Sequence, residues 1–360
     1  MTDTREARLR LLRSANIGPV TYAQLIARFG SAEAALDALP MLAARGGGRA
    51  PVVADPAAVR REIAAVERLG AHYLFLGEPA YPPLLAELET APPALILRGR
   101  TELLQRATVA IVGARNASAA ACRFARQIAL GLGEAGVTVV SGLARGIDTA
   151  AHIGSIGQGT VGVIASGIDI AFPPENAELQ ERVAREGLLL AEQPPGTEPL
   201  ARFFPSRNRI IAGLALGTVV VEAAPRSGSL ITARIANEAG RDVMAVPGSP
   251  LDPRAQGCNL LIREGATLVQ GVDDILESIR PIDPRTVRTP ARGWQAPPPE
   301  DASDADRRAV AGLLGPTPVS VDELLRQSGL VPAVVQTALL ELELAGRLER
   351  HAGGRISLRS

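Results

Sequence analysis

The spacing of apolar residues divides the chain into four regions with different predicted structures. Residues 1–75 carry apolar side chains at helical spacing, interrupted by a Gly-Pro turn at 18–19, which predicts a small helical domain. Residues 76–280 hold short β-branched runs such as "ATVAIVGAR", which alternate with helical segments such as "SLITARIANEAG". Continuous apolar strands that alternate with helices are typical of a parallel sheet covered on both faces. We therefore expect an α/β core between two smaller regions.

The last two regions are a predicted linker and a predicted small domain. Residues 281–302 hold six prolines and no periodicity, which indicates an extended linker. Residues 303–360 read as three helices followed by a two-stranded hairpin, which suggests a winged helix. Its third helix, "PAVVQTALLELELAG", carries two glutamates and no arginine. Because such a surface repels the major groove of DNA, we expect its apolar residues to dock on a partner or on the core domain.

Composition narrows the possible functions. The chain has 360 residues, of which 46% are hydrophobic and 21% are charged, and its formal net charge is zero. Its first residues are charged and no run of about 18 apolar residues occurs, so we expect a cytoplasmic protein without a membrane span. The two cysteines and three histidines predict neither a disulfide framework nor a metal site, and no cofactor is expected.

The chain contains no lysine, so all 38 Lys-plus-Arg positions are arginine. A P-loop NTPase needs the lysine of its phosphate loop, and that class is excluded. Any phosphate contact must therefore use arginine, a backbone N–H group or a hydroxyl.

Two motifs in the core favour ordinary structural roles. "GLGEAG" at residues 131–136 matches the letters of a dinucleotide-binding motif, but it lies between a helix and the following strand. The phosphate site of that motif needs the opposite order, so NAD binding is not expected.

Asp148 and His152 lie four residues apart on one predicted helix, close to Ser141. We interpret them as a brace for the preceding loop rather than as part of a hydrolase.

Four loops after the predicted strands carry the candidate chemistry. Ligands of such sheets bind beyond the carboxyl ends of the strands. Gly-Ser turns that lead into helices expose N–H groups to anions, arginines add bidentate phosphate geometry, and a phenylalanine can stack on an unpaired base. Arginines spread over several loops suit a polyanion better than one small ligand. The candidate residues are Gly113, Ala114, Arg115, Ser141, Gly142, Leu143, Ala144, Arg145, Gly146, Phe204, Arg207, Asn208, Arg209, Ser227, Gly228 and Ser229.

Several ordered blocks resemble the DNA-processing protein A (DprA, or Smf) family over residues 78–270. They include "AIVGAR", "VVSGLARGIDTAAH", "FPPENAEL", "FPSRNRIIAGL" and "GCNLLIREGA". The resemblance implies an extended Rossmann-like core, an N-terminal helical domain (SAM-like or helix-hairpin-helix-like) and a C-terminal winged helix. It implies DNA contacts by Arg115, by the loop 141–146, and by Phe204, Arg207 and Asn208.

The same resemblance implies a function without catalytic turnover. Members of the family bind the single-stranded DNA of natural transformation, form homodimers through the Rossmann-like domain and help load the RecA recombinase. We expect little sequence specificity, because phosphate contacts carry no sequence information. This chain departs from the family pattern at Ala114, where serine or threonine is common, and at Phe172, where tyrosine is common.

Two other functions stay open at this point. A nucleotide-processing enzyme similar to a phosphoribohydrolase would use the same Rossmann-like cleft and would need a poised carboxylate, with Glu222 as the candidate. An adaptor protein would instead grip a protein partner with its winged helix.

Overall fold

The computed structural model describes residues 4–280, 301–351 and 354–359. The predicted linker lies outside these ranges except for its last two residues. The described residues form two compact units, one from residues 4–61 and 301–359 and the other from residues 62–280. In the described ranges, no helix is both long enough and apolar enough to span a lipid bilayer.

The unit of residues 62–280 is built on one sheet. Its strands are β1 His72–Phe75, β2 Ala94–Gly99, β3 Thr108–Gly113, β4 Thr138–Ser141, β5 Thr160–Gly167, β6 Leu188–Gln193, β7 Gly217–Val221, β8 Asp242–Ala245 and β9 Thr267–Leu268. Their spatial order is β1-β2-β6-β5-β4-β3-β7-β8-β9. In this spatial order, every neighbouring pair between β6 and β9 is parallel. The pairs of β2 with β1 and with β6 are antiparallel. The predicted, mostly parallel sheet is confirmed.

Helices precede the sheet and connect its strands. They are α1 Arg5–Arg13, α2 Pro19–Phe29, α3 Ala32–Arg45, α4 Pro56–Arg68, α5 Pro83–Ala86, α6 Ala119–Glu134, α7 Ile147–Ser155, α8 Ala177–Glu186, α9 Phe203–Leu214, α10 Gly228–Glu238, α11 Gln256–Arg263 and α12 Val272–Ser278. Serine hydroxyls cap the N-termini of α3, α6 and α10, where the sequence changes from loop to helical spacing.

Strand β3 shows how the sheet is covered on both faces. Val109 and Ile111 belong to the apolar cluster that contains α6 and α7. Ala110 and Val112 belong to the opposite cluster, which contains α9 and α10. Successive side chains of a strand point to opposite faces, so a strand buried on both faces is apolar throughout.

Strand order reverses at β3. From β3 the chain continues through β4, β5 and β6 on one side, and then returns to add β7, β8 and β9 on the other side. The loops after β3 and β7 therefore diverge and leave a crevice at the carboxyl ends of the strands. Such a topological switch point is where open α/β sheets bind their ligands.

The C-terminal residues form the predicted winged helix, which is confirmed. Its helices are α13 Asp304–Gly312, α14 Val321–Ser328 and α15 Pro332–Leu344. Its strands are β10 Val319–Ser320, β11 Leu348–His351 and β12 Arg355–Leu358, in the spatial order β10-β12-β11.

Helix α15 packs on the N-terminal helices. Leu340 and Leu344 share one apolar cluster with Leu39 and Leu42 of α3. We expected the apolar face of α15 to dock on a partner or on the core domain. It lies instead against α3, near the N-terminus. The two small domains predicted as separate regions form one unit.

Charged residues also hold α15 against the end of α3. We call this contact the terminal clasp, and its residues are Arg45, Gly46, Gly48, Asp301, Arg307, Glu341 and Ala345. Glu341 of α15 is 0% exposed and accepts two hydrogen bonds from Arg307, at 2.6 Å to Oε2 and 2.9 Å to Oε1. Arg45 of α3 lies 4.0 Å from the same carboxylate and also donates to Asp301. An ideal Cβ on Gly46 would lie only 2.1 Å from the backbone oxygen of Glu341. Glycine therefore lets the end of α3 approach α15 closely.

Candidate functional site

The loop after β3 is fixed on both sides. The Ala114 N–H donates to the Val221 oxygen at 3.4 Å, and the Ala114 oxygen accepts from the Ile147 N–H at 3.3 Å. An ideal Cβ on Gly113 would lie 1.9 Å from the Val221 oxygen, so only glycine fits there. Arg115 follows directly and reaches the crevice at the switch point.

The loop after β4 is held by a buried carboxylate. Oδ2 of Asp148 accepts the N–H groups of Gly142 and Ala144 at 3.1 and 3.3 Å. Burial raises the pKa of Asp148 above its usual value, while Arg207 and the two N–H donors oppose that rise. The interpretation of Asp148 as a brace for this loop is confirmed.

Two further contacts fix the loop 141–146. Asn176 donates from Nδ2 to the Leu143 oxygen at 2.8 Å. Gly146 has φ +74°, and an ideal Cβ there would lie 2.3 Å from the Ala114 oxygen. Glycine at this position therefore allows both the positive φ and the close approach of the two loops.

Arg207 of α9 lies beneath the loop 141–146. Arg207 is 7% exposed. Its Nη1 atom lies 1.5 Å from the position that a Cβ on Gly142 would take. Its Nε is buried without a hydrogen-bond partner among the described residues. Burial lowers the pKa of Arg207, and Asp148 counteracts that shift. Gly142 thus leaves room for a recessed guanidinium.

Two adjoining cavities open over these loops, with volumes of about 430 and 690 Å³. Both are lined by Arg115, Asn116, Ala144, Phe204 and Arg207. We call the joined cavities the arginine cleft. The smaller cavity extends towards Arg145 and Phe172, and the larger one towards the N-terminus of α10.

Aromatic rings line the shared part of the arginine cleft. The Cζ atom of Arg115 lies 5.5 Å from the ring centroid of Phe204, within the range of a cation–π contact. The rings of Phe204 and Phe172 have centroids 5.7 Å apart, and Phe172 is 40% exposed. A guanidinium and an apolar ring therefore face the same space.

The lining of the arginine cleft is mainly cationic. Its arginines are Arg115, Arg145, Arg207, Arg226 and Arg254, and its lining carboxylate is Asp148. Two of these arginines already have acidic partners, because Arg145 pairs with Glu175 and Arg254 pairs with Asp252 at 2.9 Å. A cleft with this lining attracts anions.

Most of the residues that the sequence suggested meet in this cleft. They are Gly113, Ala114, Arg115, Gly142, Ala144, Arg145, Phe204, Arg207, Asn208, Ser227, Gly228 and Ser229. The others do not line it, for separate reasons. Ser141 is buried and donates to the Ile111 oxygen at 2.6 Å, Leu143 is buried, and Gly146 supports the loop. Arg209 lies 2.5 Å from Glu192 in an ion pair outside the cleft.

Sequence reasoning missed several lining residues, which are Asn116, Phe172, Arg226, Thr232 and Arg254. Asn116 and Arg226 directly follow or precede candidate residues, so wider loop boundaries would have included them. Nothing local marks Arg254, because it reaches the cleft from the segment before α11.

The carboxylate required by the enzyme alternative is engaged elsewhere. Glu222 accepts hydrogen bonds from the N–H and Oγ of Ser118 at 2.8 and 2.6 Å, and it lines a separate cavity of about 450 Å³. His152 bonds Oγ1 of Thr160 through Nδ1 at 2.8 Å. Neither Glu222 nor His152 is among the residues that line the arginine cleft.

Comparison with protein families gives matches along most of the chain. The model described as DNA recombination-mediator protein A matches residues 72–280. The models described as the DprA-like N-terminal HHH domain and the DprA winged helix domain match residues 2–65 and 295–354.

Individual relatives agree with these matches. Protein Smf of Synechocystis sp. is 36% identical over 319 residues, which cover 80% of this chain and 80% of the relative. The crystal structure of DNA processing protein A from Streptococcus pneumoniae has a TM-score of 0.59 and 42% identity, over 62% of this chain and 78% of that one. DNA processing protein A from Helicobacter pylori, with a structure described for its single-stranded DNA binding mode, has a TM-score of 0.53 and 26% identity, over 57% and 95%. This chain, with its parallel sheet, helical N-terminal domain and winged helix, belongs to the DNA recombination-mediator protein A family.

Proposed function

We propose that the protein binds single-stranded DNA in the arginine cleft and mediates recombination by delivering that strand to the RecA recombinase. The observation that carries this proposal is the pairing of Arg115 with Phe204 in the wall shared by both cavities. A guanidinium beside an accessible ring provides a phosphate contact and a stacking surface for the same nucleotide.

The phosphate contacts come from the exposed arginines of the cleft. Arg115, Arg145 and Arg226 present their guanidinium groups from three different loops, which suits a chain of phosphates. Arg145 exchanges Glu175 for a phosphate on binding, and this exchange costs little because both side chains are exposed. Binding through the backbone predicts little sequence preference.

The aromatic wall favours single strands over duplexes. Phe204 and Phe172 offer faces of apolar ring inside a cavity, where only an unpaired base can reach them. A duplex keeps its bases stacked inside the helix, so it gains the phosphate contacts without the stacking.

Fluorescence anisotropy with single- and double-stranded oligonucleotides of equal length tests this proposal. Arg115→Ala removes a phosphate contact and a ring partner, and we expect its affinity for single strands to fall about ten- to a hundredfold. Arg234→Ala is the matched control, since Arg234 is an exposed arginine of α10 that pairs with Glu238 and does not line the cleft. Equal affinities of wild type and Arg115→Ala would contradict the proposal.

We also propose that the protein acts as a homodimer formed through the Rossmann-like domain. The family resemblance supports this, and so do the exposed apolar residues Leu260 of α11 and Leu268 of the edge strand β9. Size-exclusion chromatography with light scattering gives the test. We expect a dimer for the wild type and a monomer for Leu260→Glu/Leu268→Glu, and a monomeric wild type would refute the dimer.

The delivery of DNA to RecA has its own assay. The rate of RecA filament formation on single strands coated with single-strand-binding protein is measured with and without the full chain. We expect acceleration by the wild type and by Arg234→Ala, and a much smaller effect with Arg115→Ala. No acceleration by a wild type that binds DNA would reject this role while leaving DNA binding intact.

A further inference from the structure

The larger cavity of the arginine cleft ends at the N-terminus of α10, an eleven-residue helix. Ser227 is its N-cap, and the hydroxyls of Ser227 and Ser229 lie 2.8 Å apart. Gly228 between them leaves the first turn of the helix open to the cavity. The N–H groups of a first turn carry partial positive charge and favour anions.

Arg207 is a second, independent indication of an anion in this place. It is nine-tenths buried, lines the cavity, and has no hydrogen-bond partner at Nε among the described residues. The nearby carboxylate of Asp148 already accepts two N–H groups of the loop 141–146. A buried cation without full compensation costs free energy, which a bound anion would recover.

The shape of the cavity distinguishes between kinds of phosphate. An internal phosphodiester carries one charge and offers two free oxygens, and the chain continues on both sides of it. A phosphate monoester offers three oxygens and a charge of about −1.5 to −2 at neutral pH, and it can enter a recess end-on. Arg207 lies in such a recess, whereas Arg226 is on the exposed rim. The volume of about 690 Å³ is that of a small-molecule site, and the cavity lies at the switch point.

We infer that the cavity between Arg207 and the N-terminus of α10 is a binding site for a phosphate monoester attached to a nucleoside. The group has two possible sources, a phosphorylated end of the bound DNA strand or a free nucleoside monophosphate. This inference rests on the proposed function in so far as the strand end reaches the cavity from the DNA bound in the same cleft.

Binding of end-modified oligonucleotides to the full chain tests the inference. Strands of one sequence carry a 5′-phosphate, a 3′-phosphate or hydroxyls at both ends, with the fluorophore on the end that is not compared. We expect either the 5′-phosphorylated or the 3′-phosphorylated strand to bind about tenfold more tightly than the strand with hydroxyls at both ends. This gain in affinity corresponds to one additional charge-assisted hydrogen bond. Competition with deoxynucleoside monophosphate, deoxynucleoside and inorganic phosphate shows whether the free nucleotide is also a ligand.

Ser229→Ala probes the place of binding. Ser229 is buried at the cavity wall, and its loss removes a hydroxyl without removing the cap residue Ser227. We expect the ratio of the affinities for the phosphorylated and the hydroxyl-ended strand, both measured on this variant, to shrink severalfold. Ser31→Ala, which removes the cap of α3 in the other unit, is the control and should keep the preference.

The outcomes separate this inference from the proposed function. Equal binding of phosphorylated and hydroxyl-ended strands, without competition by the mononucleotide, overturns the monoester site and leaves single-strand binding in place. Absence of strand binding, together with direct binding of the mononucleotide, overturns the proposed function and supports the site. If Ser229→Ala keeps the full preference for the phosphorylated end, the phosphate binds at a place other than the N-terminus of α10, and this result also overturns the inference.

Discussion

Arg207 and Arg209 lie two residues apart on α9 and occupy different environments. Arg207 is buried beside the arginine cleft, whereas Arg209 pairs with Glu192 away from it. Helical positions that are two residues apart differ by about 200° around the axis, so these two arginines of one motif face opposite directions. The side that faces a ligand depends on how the helix is rotated against the sheet.

Gly142→Ala tests the close contact with Arg207. A Cβ at this position would overlap Nη1 of Arg207, which lies 1.5 Å away, so the loop or the guanidinium must move. We expect a loss of about 1–3 kcal/mol in the free energy of unfolding and weaker single-strand binding. Chemical denaturation and anisotropy measure the two effects. Gly157→Ala is the control, because no atom of the described residues lies within 4 Å of its Cβ position. A similar loss there would rule out the steric explanation.

His152 predicts a dependence of stability on pH. Burial, with a smaller contribution from Arg207, lowers the pKa of His152 from 6.5 to about 3. Between these values the unfolded chain binds a proton that the folded chain does not, so stability falls as the pH decreases. We expect this group to cost about 2–3 kcal/mol at pH 4.5 relative to pH 7.

Urea denaturation at pH 7 and 4.5 measures this dependence. His152→Gln should lose less stability between the two pH values than the wild type does. His72→Gln, at an exposed position of β1, should behave like the wild type. The same pH dependence in all three proteins would show that other groups cause it.

At the scale of elements, the terminal clasp joins helices from opposite ends of the chain. Glu341 of α15 is buried with Arg307 of α13, and the backbone of Glu341 touches the end of α3 at Gly46. A winged helix commonly reads DNA with its third helix. Here the buried face of that helix serves the packing of the unit instead.

Gly46→Ala should disrupt the clasp. The added Cβ would lie 2.1 Å from the Glu341 oxygen, which is backbone and cannot move without shifting α15. We expect faster hydrogen exchange in both α3 and α15, measured by mass spectrometry, with little change in β3 to β7. Gly312→Ala should leave both helices protected, because none of the residues that the structure describes has an atom within 4 Å of that Cβ position. Faster exchange in α15 alone would show that the two helices are not coupled.

The clasp also shows where sequence reasoning ends. The strands, the loops and the winged helix follow from patterns within about ten residues, and loops after parallel strands share one edge of the sheet. The site loops were therefore predictable as a group. The contact of Gly46 with Glu341 joins distant positions, and no local spacing records it. The same holds for Phe172 and Phe204, which meet only because β5 and α9 pack together.

At the scale of the whole molecule, a formal net charge of zero coexists with a cationic cleft. For the proposed binding of DNA, we therefore expect weak long-range attraction and an affinity that depends on local contacts. If about four phosphates are neutralised, the logarithm of the affinity should fall against the logarithm of the salt concentration with a slope near −3. Arg115→Ala should reduce the steepness by about 0.7. Anisotropy titrations over a range of salt concentrations measure both slopes, and a slope near zero would contradict phosphate binding.

The glycines of the terminal clasp have a consequence for the history of the family. Gly46 and Gly48 have no left-handed φ, and their Cβ positions are blocked by the backbone of Glu341 and Ala345. Their requirement for glycine thus originates almost 300 residues away in the sequence. A descendant gene that lost its winged helix would be released from this requirement, and we expect larger residues at the two positions in such shortened lineages. The tail and the end of α3 should be inherited or altered together.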